Sequence, residues 1–280
     1  MTLLPETELR VVLPDESPAM EPGRLSELAV LAERLGYGAV LLPDHLLPPG
    51  PYGATYGGVY EPLTTLAFLA AATERIGLGT SVLVLPLREP FLVAKQAATV
   101  HRLSGGRLTL AVGAGWVRSE FDAAGADYAG RGRYVEDAVL LLRALFSGAT
   151  SYDGARFGFE HGVFEPRPLT PLPIAIGGTT DAALRRVAAV ADEWHAFALD
   201  ADGFASRLAT LRELRAAGPL AGQPLRAGTR IEYTGGPAEL AAAVESVHRL
   251  AAAGADSVAV WFGDEDGFGE RMEEFAAAFG

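Results

Sequence analysis

The chain contains no cysteine. Disulfides, thiolate nucleophiles, zinc–thiolate sites and iron–sulfur clusters are thereby excluded, and folding needs no oxidising compartment. Lysine is nearly missing as well: of 23 basic residues only Lys95 is lysine. Together with abundant alanine and glycine, that points to a GC-rich genome and says nothing of function. No run of about 18 uninterrupted apolar residues occurs anywhere. Met1-Thr2-Leu3-Leu4-Pro5-Glu6 carries no positive segment leading into an apolar stretch. A soluble cytoplasmic protein that does not engage a membrane is expected. Dense basic runs are also lacking, and the net charge is −12 with a pI of about 4.9. That field repels nucleic acid and anionic lipid, so neither is expected as a partner.

What is present suits one large globular core: 280 residues, 49% hydrophobic and 21% charged. Short β-rich runs alternate with longer helical patterns from end to end. Eight strands are predicted, at 9–13, 38–42, 76–83, 108–112, 173–176, 193–197, 228–233 and 257–261. The helices between and after them fall at 24–35, 62–73, 90–103, 133–146, 180–191, 202–216, 237–253 and 267–279. Pro62, Pro90 and Pro237 sit at first turns, and Gly36, Gly148 and Gly254 follow last turns. In the first helix Leu28, Leu31 and Leu35 form one apolar stripe, with Glu27 and Glu33 off it. Eight βα units predict an α/β fold, a closed TIM (β/α)₈ barrel forming one domain over residues 1–280. The stretch from about 113 to 171 is too long for a plain βα loop and predicts an excursion over the barrel mouth.

In such a barrel the chemistry sits just past the C-terminal ends of the strands. The second strand ends in Pro43-Asp44-His45. His45 can exchange a proton near neutral pH, or it can cap loop carbonyls. Thr80 and Ser81 are small hydroxyls in an apolar strand, which hydrogen bonds to neighbouring backbone would also explain. The fourth strand ends Gly113-Ala114-Gly115-Trp116, where a flat ligand could approach the backbone, or a tight turn could need the glycines. The fifth ends Ile176-Gly177-Gly178-Thr179-Thr180 and leads at once into a helix, the form of a phosphate site. Trp194-His195 fits core packing. His101, His161 and His248 lack metal-ligand spacing, and no metal is expected.

These ordered motifs resemble the luciferase-like monooxygenase family, which includes FMN monooxygenases and enzymes of the deazaflavin coenzyme F420. The matching pieces run from Ala32-Glu33-Arg34-Leu35-Gly36-Tyr37 and Asp44-His45 through Glu61-Pro62-Leu63-Thr64-Thr65-Leu66 and Thr73-Glu74-Arg75-Ile76-Gly77-Leu78-Gly79-Thr80. They continue through Ala94-Lys95-Gln96-Ala97-Ala98-Thr99, Leu103-Ser104-Gly105-Gly106-Arg107, Gly113–Trp116, Phe164-Glu165-Pro166-Arg167-Pro168 and Ile176-Gly177-Gly178. The resemblance implies that Ser81-Val82 is a non-proline cis peptide behind the flavin ring. It implies that Asp44 and His45 face the reactive ring edge, and that Gly113, Ala114, Gly115, Ile176, Gly177, Gly178 and Thr179 line the cofactor. Known members often form dimers. Two departures stand out: Asp192-Glu193-Trp194-His195 replaces the commoner Asp-Gly-Trp, and Trp116 occupies the place where many deazaflavin enzymes carry a catalytic glutamate. The longer insertions of bacterial luciferases are lacking. His45 thereby becomes the candidate for proton transfer.

The expected activity is coenzyme F420-dependent hydride transfer to or from a small organic substrate. An FMN-dependent monooxygenase and a non-catalytic flavin-binding homologue are the alternatives. A sugar-phosphate isomerase on the same fold would need metal ligands or a lysine nucleophile that the sequence does not offer.

Overall fold

The protein is described by a computed structural model over residues 7–14, 20–48 and 60–279. The strands are β1 (Glu8–Val12), β2 (Ala39–Leu42), β3 (Gly77–Thr80), β4 (Leu83–Val84), β5 (Leu108–Gly113), β6 (Tyr152–Asp153), β7 (Gly158–Phe159), β8 (Ile174–Gly177), β9 (Glu193–His195), β10 (Arg226–Glu232) and β11 (Ser257–Trp261). The helices are α1 (Pro22–Arg34), α2 (Pro62–Ala72), α3 (Pro90–Leu103), α4 (Arg118–Ala124), α5 (Arg131–Phe146), α6 (Asp181–Val190), α7 (Ala201–Ala216), α8 (Pro237–Ala252) and α9 (Phe268–Ala277).

All barrel pairings are parallel, and the circle closes because β1 pairs with both β2 and β11 while β5 joins β3 to β8. The eight-stranded TIM barrel expected from the βα alternation is therefore the observed fold. Helix starts follow local chemistry: α1, α2, α3 and α8 each carry proline in the first turn. The Glu61 side chain accepts from the Thr64 amide, and that of Glu89 from the Phe91 and Leu92 amides.

One expected strand is not continuous. The run 76–83 breaks after Thr80 at a cis Ser81-Val82 bond and resumes as β4, which pairs with the last residues of β5. The excursion after β5 holds α4, α5 and the small hairpin β6–β7 before the chain returns at β8.

The main core lies between the sheet and the helices, with Leu28, Val40, Leu66, Leu110, Ile174 and Val187 fully or almost fully buried. The barrel interior is of a different kind. It holds a small cluster of Val12, Ala39, Leu41, Ala259 and Trp261. Arg10 on β1 reaches Glu193 on β9 at 2.6 Å, although these strands are not sheet neighbours, so the ion pair spans the interior. Arg10 also meets Glu8 at 2.9 Å, and Glu8 meets Arg226 at 2.8 Å. No helix of the described residues is long and apolar enough to cross a membrane.

Candidate active site

The C-terminal ends of the strands surround a cleft of about 770 Å³, within the roughly 300–1,000 Å³ usual for small-molecule sites. Asp44, His45, Ser81, Val82, Gly113, Ala114, Gly115, Gly177, Gly178 and Thr179 all line it. Ten of the residues singled out in the sequence thus converge on one mouth. Ile176 does not: its side chain is 1% exposed and packs in the core, because alternation along β8 turns it toward the helices.

Asp44 borders the cleft, but its carboxylate is committed to the protein. It accepts from the Val84 amide at 2.6 Å and from both terminal nitrogens of Arg88 at 2.6 and 2.8 Å. Burial pushes this carboxyl above its ordinary range, against the opposing pull of Arg88 and the Val84 amide. Its oxygens hold the exit of the bulge.

His45 has a partner that spacing in the sequence did not reveal. Its Nδ1 lies 3.1 Å from Glu120 Oε2, and Glu120 Oε1 accepts from the amides of Leu46 and Leu47, each at 2.8 Å. The Glu120 side chain is only 2% exposed. Trp116 meets the His45 ring edge-on, centroids 6.1 Å apart. An imidazole flanked by a buried carboxylate and an indole can move a proton while keeping its orientation.

The two small hydroxyls of the third strand divide the roles left open above. Thr80 serves the backbone, donating to Ala111 O at 2.5 Å and accepting from the Ala111 amide. Ser81 instead borders the cleft, its Oγ 3.0 Å from His195 Nε2. His195 is therefore not core filler: burial, then Arg10 and Arg230, push its pKa down to about 3, so it stays neutral. Trp194 is the packing residue, stacked on Phe204 and donating its indole N–H to Gly178 O at 2.8 Å. The glycines chiefly make room for the bulge. A Cβ at Gly113 would stand 2.5 Å from Val82 Cγ2, and one at Gly177 about 3.2 Å from Val82 Cγ1.

At the other wall α6 starts directly after Gly178 and Thr179, with Thr180 as its cap. Gly178 has φ +120°, a conformation that glycine tolerates. Two arginines join this wall. Arg131 donates to Gly115 O and Tyr128 O with its guanidinium 3.9 Å over the Tyr128 ring, and Arg186 donates to Gly132 O at 2.8 Å. Neither makes an ion pair among the described residues. Burial lowers the Arg186 pKa; the like charge of Arg131 adds to this, and Glu136 opposes it. Cations held by carbonyls beside a helix N-terminus suit an anion.

A family profile described as luciferase-like monooxygenase matches residues 7–232. The chain belongs to that family. Among relatives, an uncharacterized protein of Mycobacterium tuberculosis is 33% identical over 202 residues, covering 67% of this chain and 70% of its own length. An F420-dependent glucose-6-phosphate dehydrogenase of Beutenbergia cavernae is 35% identical over 175 residues, 61% of this chain and 51% of the relative. A pyrimidine monooxygenase, RutA, of Methylobacterium radiotolerans is 32% identical over 189 residues, 65% and 49%. The chain thus spans about half the length of these two relatives. A solved F420-dependent secondary alcohol dehydrogenase, in complex with an F420–acetone adduct, superposes with a TM-score of 0.82 at 17% identity. That alignment covers 98% and 99% of the two chains and shows a shared fold. This luciferase-like chain is accordingly an oxidoreductase by family.

Proposed function

We propose that this luciferase-like chain transfers hydride to or from a small organic substrate using coenzyme F420, with His45 as the proton-transfer residue. One observation carries the reading: a single cleft joins an imidazole backed by a buried carboxylate to two arginines held by backbone carbonyls at a helix start. The residues fit a phosphorylated flavin-type group. The Thr179 amide with Arg131 and Arg186 would hold its phosphate, and Ser81, Val82 and Gly113 would back its ring. A bound deazaflavin supplies two-electron hydride chemistry. His45 exchanges the proton that accompanies it at the substrate oxygen, Glu120 fixes the imidazole, and Trp116 and Phe197 border the mouth. The F420-dependent relative and the similar F420-dependent fold support this choice of cofactor. A cytoplasmic homodimer is the setting we infer from the family.

FMN is the second reading, favoured by Trp116 at the place of the glutamate of many deazaflavin enzymes and by the monooxygenase relative. Purified protein titrated separately with F420 and FMN separates them. Preferential binding of F420 is expected, and binding of FMN alone overturns the choice. With the bound cofactor and a turned-over substrate, His45→Asn should lower kcat by about 10²–10⁴-fold at unchanged cofactor affinity. Wild-type turnover in that variant across the pH range would leave His45 a structural residue, and no turnover in the wild type itself would favour the non-catalytic homologue.

A further inference from the structure

His195 sits where two features of the cleft meet. Its Nε2 is 3.0 Å from Ser81 Oγ, and its carbonyl accepts from the Gly178 amide at 3.3 Å. Both His195 and Ser81 border the cleft. One residue therefore touches the hydroxyl at the bulge through its side chain and the phosphate-type loop through its backbone.

A serine hydroxyl rotates freely unless something holds it. We propose that His195 is a positioning residue for the cofactor, its imidazole locking the Ser81 hydroxyl so that the free valence of Oγ faces the polar edge of the bound ring. This rests on the flavin-type reading above. Either neutral tautomer achieves it. With Nε2 as acceptor, the Ser81 oxygen is left to accept from a ring N–H; with Nε2–H as donor, the Ser81 O–H is left to donate to a ring carbonyl.

The surroundings keep the imidazole available for that task. Burial and the facing cations Arg10, from β1, and Arg230, from β10, hold His195 neutral, at about 3. Glu193, two residues earlier on its own strand, is engaged by Arg10 and supplies no counter-charge to the ring. A cationic imidazole would donate from both nitrogens and remove the choice of role. The aromatic neighbour on the strand is separately secured, since Trp194 is stacked on Phe204. The His195 side chain is thus spared from packing the helix layer.

The test uses the full chain titrated with F420 and, separately, with FMN, following affinity and the visible absorption of the bound cofactor. His195→Leu should weaken binding of the cofactor that the wild type takes by about tenfold, the worth of one hydrogen bond, and shift its absorption band. Ser81→Ala should give the same shift. The double variant should bind no worse than the weaker single, because both remove one interaction. His195→Gln, which returns a polar atom near Nε2, should restore the wild-type band. An unchanged band and affinity in His195→Leu, with only a lower melting temperature, overturns the proposal. If that variant does not fold, an unchanged band in Ser81→Ala overturns it equally. Failure of the wild type to bind either cofactor overturns the flavin-type reading and this inference together, whereas binding by the wild type with indifferent variants removes this inference alone.

Discussion

A carboxylate beside an imidazole decides which ring nitrogen carries the proton, and that choice governs whether the other nitrogen can act on substrate. Glu120 accepts two backbone amides through Oε1, leaving Oε2 for His45 Nδ1. In the role proposed for His45, donation from Nδ1 to this carboxylate would make Nε2 the base. Glu120→Gln keeps an oxygen for the Leu46 and Leu47 amides but turns an N–H toward Nδ1, which favours the opposite tautomer. Turnover should fall by about 10–10³-fold with little change in melting temperature or cofactor affinity, as kinetics beside thermal unfolding will show. Equal losses in all three would mean that Glu120 merely holds the loop. Its role was not legible in the sequence. Glu120 lies 75 residues from His45, in the first turn of a short helix where an acidic residue suits the dipole alone. His45 was legible, since it ends an apolar strand.

At the scale of elements, the third strand carries the instructive difference from the sequence. An apolar run at 76–83 has the periodicity of one strand, and nothing in its pattern marks the break after Thr80. Only the motif resemblance suggested a cis peptide there, and the structure has it at Ser81-Val82. The break is held from outside the strand. Asp44, at the end of β2, takes the Val84 amide, while Arg88 joins Asp44 at 2.6 Å and Glu61 at 3.6 Å. The Asp44 and Arg88 side chains are 1% and 10% exposed, so the pair is shielded from water. Asp44→Asn keeps an acceptor for Val84 and discards the charge. Because a buried guanidinium then loses its main counter-ion, a loss of about 3 kcal/mol is expected in denaturant unfolding. Cofactor affinity should fall with it, since the bulge borders the cleft. A loss near zero would show that Glu61 alone suffices for Arg88.

Across the whole molecule, an acidic chain places arginines at its mouth and in its interior. Arg131, Arg186 and Arg230 border one cleft in a protein of net charge −12, yet they lie on α5, α6 and β10, so no local basic run announces them. The βα alternation was enough for the barrel, because each period is local; the cation set depends on closure, which brings distant strands together. The same closure explains Glu193, which departs from the family pattern. It enters the interior as the partner of Arg10.

This interior makes stability depend on pH through His195. Its folded pKa is depressed, to about 3, from the 6.5 of an ordinary histidine. Below pH 6.5 the unfolded chain therefore binds a proton that the folded chain refuses, and stability is lost as pH falls from about 6.5 toward 3, with none of this loss above 6.5. At pH 5 the gap is about 1.5 pH units, worth about 2 kcal/mol. Many carboxylates titrate in the same range, so the comparison must be with His195→Gln, which keeps them all and removes the imidazole. The wild type should lose about 2 kcal/mol relative to the variant between pH 7 and pH 5 in denaturant unfolding. A constant difference between the two proteins over that range would mean that the folded barrel accepts the proton, and that Arg10 and Arg230 do not hold the imidazole neutral.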